Sequence, residues 1–273
     1  MHDPYPIFGI ATGAVYSAYV IFGAAALATL IFCIRVARRE HQPWPLAVFG
    51  GSALLVSYEP FNNFLAHCAY ATGPNQHEML TWFGQHVPWM TWLIYMFYFA
   101  FAVPLLVQWL DRGMTVQTFI KFYACVVAAC AAFEPLFCNV HAGIRWWYYY
   151  GDNQAFNVTG LPMFWWFANA MVVVAMGVIF HLLKKHVFTT KAQQWLIVPL
   201  APLVLFAIHG SASAPVFIAI QSTDSKLLSS LATLATIGIS LFYVWLMAKS
   251  ACVTRTVSAA DHDNHRPIVA GLA

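Results

Sequence analysis

The sequence predicts an all-α fold: a polytopic membrane helix bundle of seven transmembrane helices, with the N-terminus outside and the C-terminus inside. Three observations predict it. Hydrophobic residues make up 61% of the chain and charged residues 8%, against about 25% charged in a soluble domain. Several apolar runs reach about 20 residues, the length a helix needs to cross the hydrocarbon core. The basic residues gather on one side of those runs, as the positive-inside rule requires.

The spans are read at 7–34, 44–69, 88–110, 116–142, 161–183, 195–220 and 228–248, which form a transmembrane domain over 1–248. The leading MHDPYPIFGI holds no Lys or Arg. It lacks the positive n-region of a signal peptide, so the first apolar run reads as a retained span. With the N-terminus outside, the inner segments hold Arg35, Arg38, Arg39, Arg112, Lys121, Lys184, Lys185, Lys191, Lys249, Arg255 and Arg266. The outer segments hold only Arg145 and Lys226. That asymmetry sets both the orientation and the odd number of spans. The polar tail, 249–273, reads as a disordered cytoplasmic extension.

The outer loops 70–87 and 143–160 are long and aromatic. Trp and Tyr favour the membrane interface, and on one side of a bundle they can also lid a cavity. The second loop contains the sequon Asn157-Val158-Thr159, a glycosylation acceptor only in a eukaryotic secretory membrane. The six cysteines, 33, 68, 125, 130, 138 and 252, include no CxxC pair. They form neither a disulfide framework nor a thiolate zinc site. Cys68 and Cys138, both near the outer face, are the one candidate disulfide. No Lys/Arg-rich patch suggests a nucleic-acid partner.

Two acids break the apolar pattern. VSYEPFNNFLAHC, 56–68, places Glu59, Asn62, Asn63 and His67 in the second span, and AFEPLFCNVH, 132–141, places Glu134, Asn139 and His141 in the fourth. The other Asp and Glu residues lie in loops, tails or helix ends. A charge at the bilayer centre costs about 2.5–3.5 kcal/mol on insertion scales, so such residues usually face the bundle interior and mark a site. Glu59, Glu134 and His209 stand 75 residues apart in turn, on spans that all run outward. They share a depth, as does Asn169, eight residues into the oppositely running fifth span. The equal spacing fits either a helix-pair repeat or coincidence, and the common depth needs neither.

Helical spacing puts Asn62, Asn63 and His67 on the Glu59 side of their span, and Cys138 and His141 on the Glu134 side of theirs. Pro60 and Pro135 each follow an acid directly. A helix proline removes a backbone hydrogen bond and kinks the helix, which would widen a pocket there. Trp165 and Trp166 lie just before Asn169, and an aromatic face attracts a desolvated cation. For any single Trp, ordinary packing explains as much. The Glu pair is different: a neutral carboxylic acid in a dry pocket is a proton donor, and a nearby histidine is a base or shuttle.

Glu59, Glu134, Asn169, Trp165 and Trp166 resemble, in residue types, the acids, amides and indoles of two families. These are the emopamil-binding-protein-like sterol isomerases and the small seven-helix membrane terpene cyclases. The resemblance covers the architecture and spans two to five. It implies a lipophilic substrate, protonation of an alkene or epoxide, and then cyclisation, isomerisation or hydration without metal or cofactor. The expected catalytic residues are Glu59, Glu134 and His209. Asn62, Asn63 and Asn169 would orient them or the substrate, Trp165 and Trp166 would line the pocket, and His67 and His141 would lie nearer its mouth. Besides membrane lipids, the expected partner is an apolar lipid or isoprenoid.

Three other readings compete. A proton-coupled transporter or channel would use intramembrane acids and histidines as a relay, yet no polar stripe is evident in spans one, three or seven. A haem or metal site would use the same Glu and His residues, yet no HxxxH, HxxHH or ExxH pairing occurs on one helix. A lipid-binding protein without catalysis would need the pocket alone. A retinal protein needs a Schiff-base lysine in the last span, and LLSSLATLATIGISLFYVWLM has none.

Overall fold

The computed structural model of the protein describes residues 8–72, 76–138, 144–158 and 160–252. Helix α1 spans Thr12–Glu40. The next helical run is broken: α2 (Trp44–Leu54), a 3-10 turn (Leu55–Tyr58) and α3 (Glu59–Ala66). After β1 (Cys68–Tyr70), β2 (Glu78–Trp82) and β3 (Gln85–Pro88) come α4 (Trp89–Asp111), α5 (Val116–Phe133) and the short α6 (Pro135–Cys138). Strands β4 (Trp147–Tyr149), β5 (Asn157–Val158) and β6 (Leu161–Pro162) precede α7 (Phe164–His186), α8 (Ile197–Ser222) and α9 (Lys226–Ala251).

The result is a helical bundle. Six helical stretches among the described residues are long and apolar enough to cross a membrane: α1, α4, α5 with α6, α7, α8 with the turn before it, and α9. The expected span over 44–69 is not one uninterrupted helix. Pro60 has no N–H to give the preceding turn, and the chain tightens into the 3-10 turn just before Glu59. Pro135 acts likewise: α5 stops at Phe133, Glu134 occupies the break, and α6 starts at the proline.

Helix α7 is the central pillar. Every residue from Ala170 to Val178 is buried, as expected for a helix apolar on all faces. It packs against α4, α5, α8 and α9. Two glycines permit close approach elsewhere. A Cβ on Gly177 would lie 2.6 Å from Leu106 Cδ2, and one on Gly51 would lie 2.8 Å from the Ala201 Cβ.

The two ends of the bundle differ. At one end, the last turns of α1, α4 and α7 meet the start of α2 in a polar cluster. Lys184 bonds Asp111 and sits 3.7 Å from Glu40, His181 is 2.8 Å from Asp111, and Arg39 bonds Gln108 at 2.5 Å. The Lys184 ammonium also lies 4.7 Å over the Trp44 ring, and the Trp44 indole N–H donates to Glu40. At the other end, the long aromatic loops are partly β-structure. Strand β1 pairs antiparallel with β4, with Cys68 opposite Tyr149, and β2 pairs with β3 as a hairpin. On the hairpin, Glu78 bonds His86 and Thr81, which holds its carboxyl below the usual glutamate range.

Several expectations fall at the edges of this description. Helix α9 runs to Ala251 rather than 248, and most of the expected tail, 253–273, lies outside the described residues. So do Asn139, His141 and Thr159 of the sequon. Asn157 is exposed in β5. Cys68 and Cys138 are both buried and both free thiols, so the candidate disulfide is not formed.

Candidate active site

A cavity of about 380 Å³ lies beneath the β1–β4 pair, toward the β-capped end of the bundle. Glu59, Asn62 and Asn63 reach it from the 3-10 break and the first turns of α3, and Glu134 from the break between α5 and α6. Trp165 and Asn169 of α7 and His209 of α8 complete the set that the sequence placed at one depth. The rest of the wall is largely apolar and aromatic, with Phe22, Phe99, Phe137 and Trp147 among its members. A mostly apolar pocket with a few converging polar groups is the usual form of a small-molecule site.

The carboxyl groups are held by neutral donors. The Tyr70 hydroxyl donates to Glu59 Oε1 at 2.6 Å, and the Tyr95 hydroxyl donates to Oε2. Asn63 flanks the same group, although its Nδ2 makes no hydrogen bond among the described residues. Glu59 is 7% exposed. Glu134 is half-buried and accepts one hydrogen bond, from Asn169 Nδ2 at 2.9 Å. Among the described residues neither carboxyl forms an ion pair with a Lys, Arg or His. The two lie within electrostatic reach of each other.

His209 does not pair with a carboxyl. Its Nδ1 lies 3.1 Å from the Tyr58 hydroxyl, and its ring stacks on Trp165 with centroids 5.4 Å apart and planes 20° from parallel. It is 2% exposed. Tyr58 is thus the hydrogen-bond partner of one ring nitrogen, while Nε2 has none among the described residues.

The remaining expected residues fall elsewhere. His67 ends α3 in the left-handed region, at φ 50°, and stacks on Tyr150 with planes 4° apart, outside the cavity wall. Trp166 is half-buried next to Trp165 but also lies outside that wall. His141 is not among the described residues.

Sequence reasoning missed Tyr58, Tyr70 and Tyr95. Tyr70 lies in a loop whose aromatics read as an interfacial belt, and Tyr95 in an apolar run where tyrosine counts as hydrophobic. It also missed a buried hydroxyl stripe on α9, Ser229, Thr233, Thr236 and Ser240, each 0% exposed. The stripe packs against α7 and α8, where Thr236 Oγ1 accepts from the Val216 N–H. None of the four lines the cavity.

Helix α5 packs chiefly on α7, while α4 packs on α1, α2 and α7, and the Tyr98 hydroxyl of α4 meets Cys130 Sγ of α5 at 3.2 Å. Ala129 and Phe133 of α5 line the cavity and are also exposed on the flank of the bundle. Among the described residues no three His, Cys, Asp or Glu side chains are grouped to hold a metal ion.

No protein-family model, curated protein or solved structure matches this chain.

Proposed function

We propose that the protein is a membrane-embedded acid–base enzyme, a cyclase, isomerase or hydratase, acting on an isoprenoid or other apolar lipid. One observation carries the reading. Glu59 and Glu134, far apart in sequence, share one apolar cavity and are held there by Tyr and Asn donors rather than by a cation. Uncompensated acids in an apolar interior are costly, and proton transfer is the chemistry they serve best. One carboxyl gives a proton to an alkene carbon or an epoxide oxygen. The other takes a proton from the cation that forms, or from the water that adds to it. The indole face of Trp165 would stabilise that cation. The resemblance in residue types to sterol isomerases and membrane terpene cyclases points the same way.

The same proposal includes seven spans with the N-terminus outside. The run from α2 to α3 covers 44–66, enough to serve as a span with a break at its site. Arg35, Arg38, Arg39, Arg112, Lys184 and Lys185 all belong to the end opposite the β-capped cavity. The cavity then sits toward the outer side.

The test is an untargeted mass-spectrometric lipid profile of cells expressing the wild type, Glu59→Gln or Glu134→Gln. Gln keeps the shape and hydrogen bonding but cannot exchange the proton. The expected result is an apolar product in the wild type that falls by about a hundredfold or more in each variant. An identical profile in all three contradicts the reading.

The α9 hydroxyl stripe favours a second reading, a proton-coupled transporter, because buried hydroxyls support proton relays. Proton flux in proteoliposomes that is lost in Thr233→Val would favour it.

A further inference from the structure

The cavity is apolar, yet five of its lining side chains are more than nine-tenths buried and each keeps a polar atom unpartnered among the described residues. Asn63 Nδ2 and Thr91 Oγ1 are two of them, and three more come from three different helices. They are the Trp165 indole Nε1, 3% exposed overall, His209 Nε2, 2%, and Asn62 Oδ1, 6%. They come from α7, α8 and α3 and belong to residues that line the same cavity as Glu59 and Glu134. Buried polar atoms in folded proteins are nearly always hydrogen-bonded, and leaving one unpaired costs about 1–3 kcal/mol. Among the described residues none hydrogen-bonds His209 Nε2. Its Nδ1 is engaged by Tyr58, and its ring is clamped against Trp165, so neither ring turns without losing contacts.

The chemical types of these atoms restrict what can satisfy them. An indole N–H only donates, an amide oxygen only accepts, and a neutral imidazole nitrogen does whichever its tautomer allows. A hydrocarbon satisfies none of them. An ether or epoxide oxygen accepts but cannot donate. A hydroxyl does both.

We propose that the cavity takes a hydroxyl-bearing apolar chain. The substrate class is an oxygenated lipid rather than a pure hydrocarbon, with its hydroxyl held by Trp165, Asn62 and His209 and its chain along the aromatic wall. The proposal deepens the enzyme reading by naming the substrate class, but it rests on the cavity alone and needs no turnover.

The test is equilibrium binding of tritiated dodecan-1-ol to the purified full-length protein in detergent, competed with unlabelled dodecan-1-ol, 1-methoxydodecane and dodecane. The three competitors have nearly the same chain and differ in hydrogen bonding: donor and acceptor, acceptor only, and neither. The expected result is saturable binding of one alcohol per chain. The alcohol should compete on the order of tenfold better than dodecane, with the ether between them. Trp165→Phe and Asn62→Leu should each weaken alcohol binding by roughly tenfold while leaving dodecane competition unchanged.

Dodecane competing as well as the alcohol overturns the proposal. So does the absence of saturable binding, or wild-type alcohol affinity in both variants. The wild-type competition decides the matter even where a variant fails to fold. The outcome is separable from catalysis. An alcohol preference with a Glu-independent lipid profile keeps this site and removes the enzyme. A Glu-dependent product with no alcohol preference does the reverse.

Discussion

The bundle contains two groups of carboxyls, and they are treated in opposite ways. At the basic end, Asp111 meets Lys184 and His181, while Glu40 meets Lys184, Arg39 and the Trp44 indole. Every acid there has a cation. In the cavity, Glu59 and Glu134 have only phenols and an amide among the described residues. An ion-paired acid at a helix junction fixes how helices meet. An acid held by neutral donors beside an open apolar volume can change its proton without breaking the bundle. In the proposed function, the first group holds the bundle together and the second carries the chemistry.

The largest effect should come from the cavity acids. Glu59→Gln and Glu134→Gln should each lower product formation by about a hundredfold or more. The melting temperature should change little. The mirror experiment is Asp111→Asn, which leaves His181 without its anion and Lys184 with Glu40 alone. It should destabilise the protein by about 1–3 kcal/mol in thermal or denaturant unfolding, with turnover per folded molecule unchanged.

Next come the tyrosines. Tyr70→Phe and Tyr95→Phe each remove one donor from Glu59 and leave its packing intact. Each should lower turnover by about ten- to a hundredfold, the worth of a hydrogen bond to a charged group. Activity at the wild-type level in both would show that Glu59 needs no positioning.

Gly51→Val tests packing away from either group of acids. It drives a branched side chain against Ala201 and the Ile197 carbonyl, and overpacking of this kind costs about 1–3 kcal/mol, read as a lower melting temperature.

The smallest effect concerns Glu78. Its carboxyl titrates below the usual range because His86 and Thr81 hydrogen-bond its charged form. A depressed folded value adds stability above the unfolded carboxylate pKa, and that stability is lost as pH falls through the folded value. Glu78→Gln should therefore change stability by no more than about 0.5 kcal/mol at neutral pH, since the pair is exposed, and should flatten the acid limb slightly. Melting curves at several pH values check it.

The long helices were legible because apolar length and flanking charge write them directly into the sequence. The break before Glu59 was half legible. Pro60 and Pro135 announced kinks, but not that the break before Glu59 would take the form of a 3-10 turn over Leu55–Tyr58. The shared depth of Glu59, Glu134, His209 and Asn169 was readable from topology alone, and all four line one cavity. His67 shows the limit of helical spacing. Its spacing from Glu59 put it on the same face, but the chain leaves the helix at that residue and turns its ring onto Tyr150. The tyrosine donors were hidden for a different reason: tyrosine serves as belt, core and hydrogen-bond donor, and only tertiary structure separates those roles.

The most direct test of the contrast measures two quantities on the same purified proteins: turnover of the lipid identified by profiling, and melting temperature. It compares Glu59→Gln and Glu134→Gln with Asp111→Asn. The account predicts a double dissociation, with turnover lost and stability kept in the first two, and stability lowered and turnover kept in the third. Full turnover in either Glu variant, or loss of both quantities in all three, would contradict it.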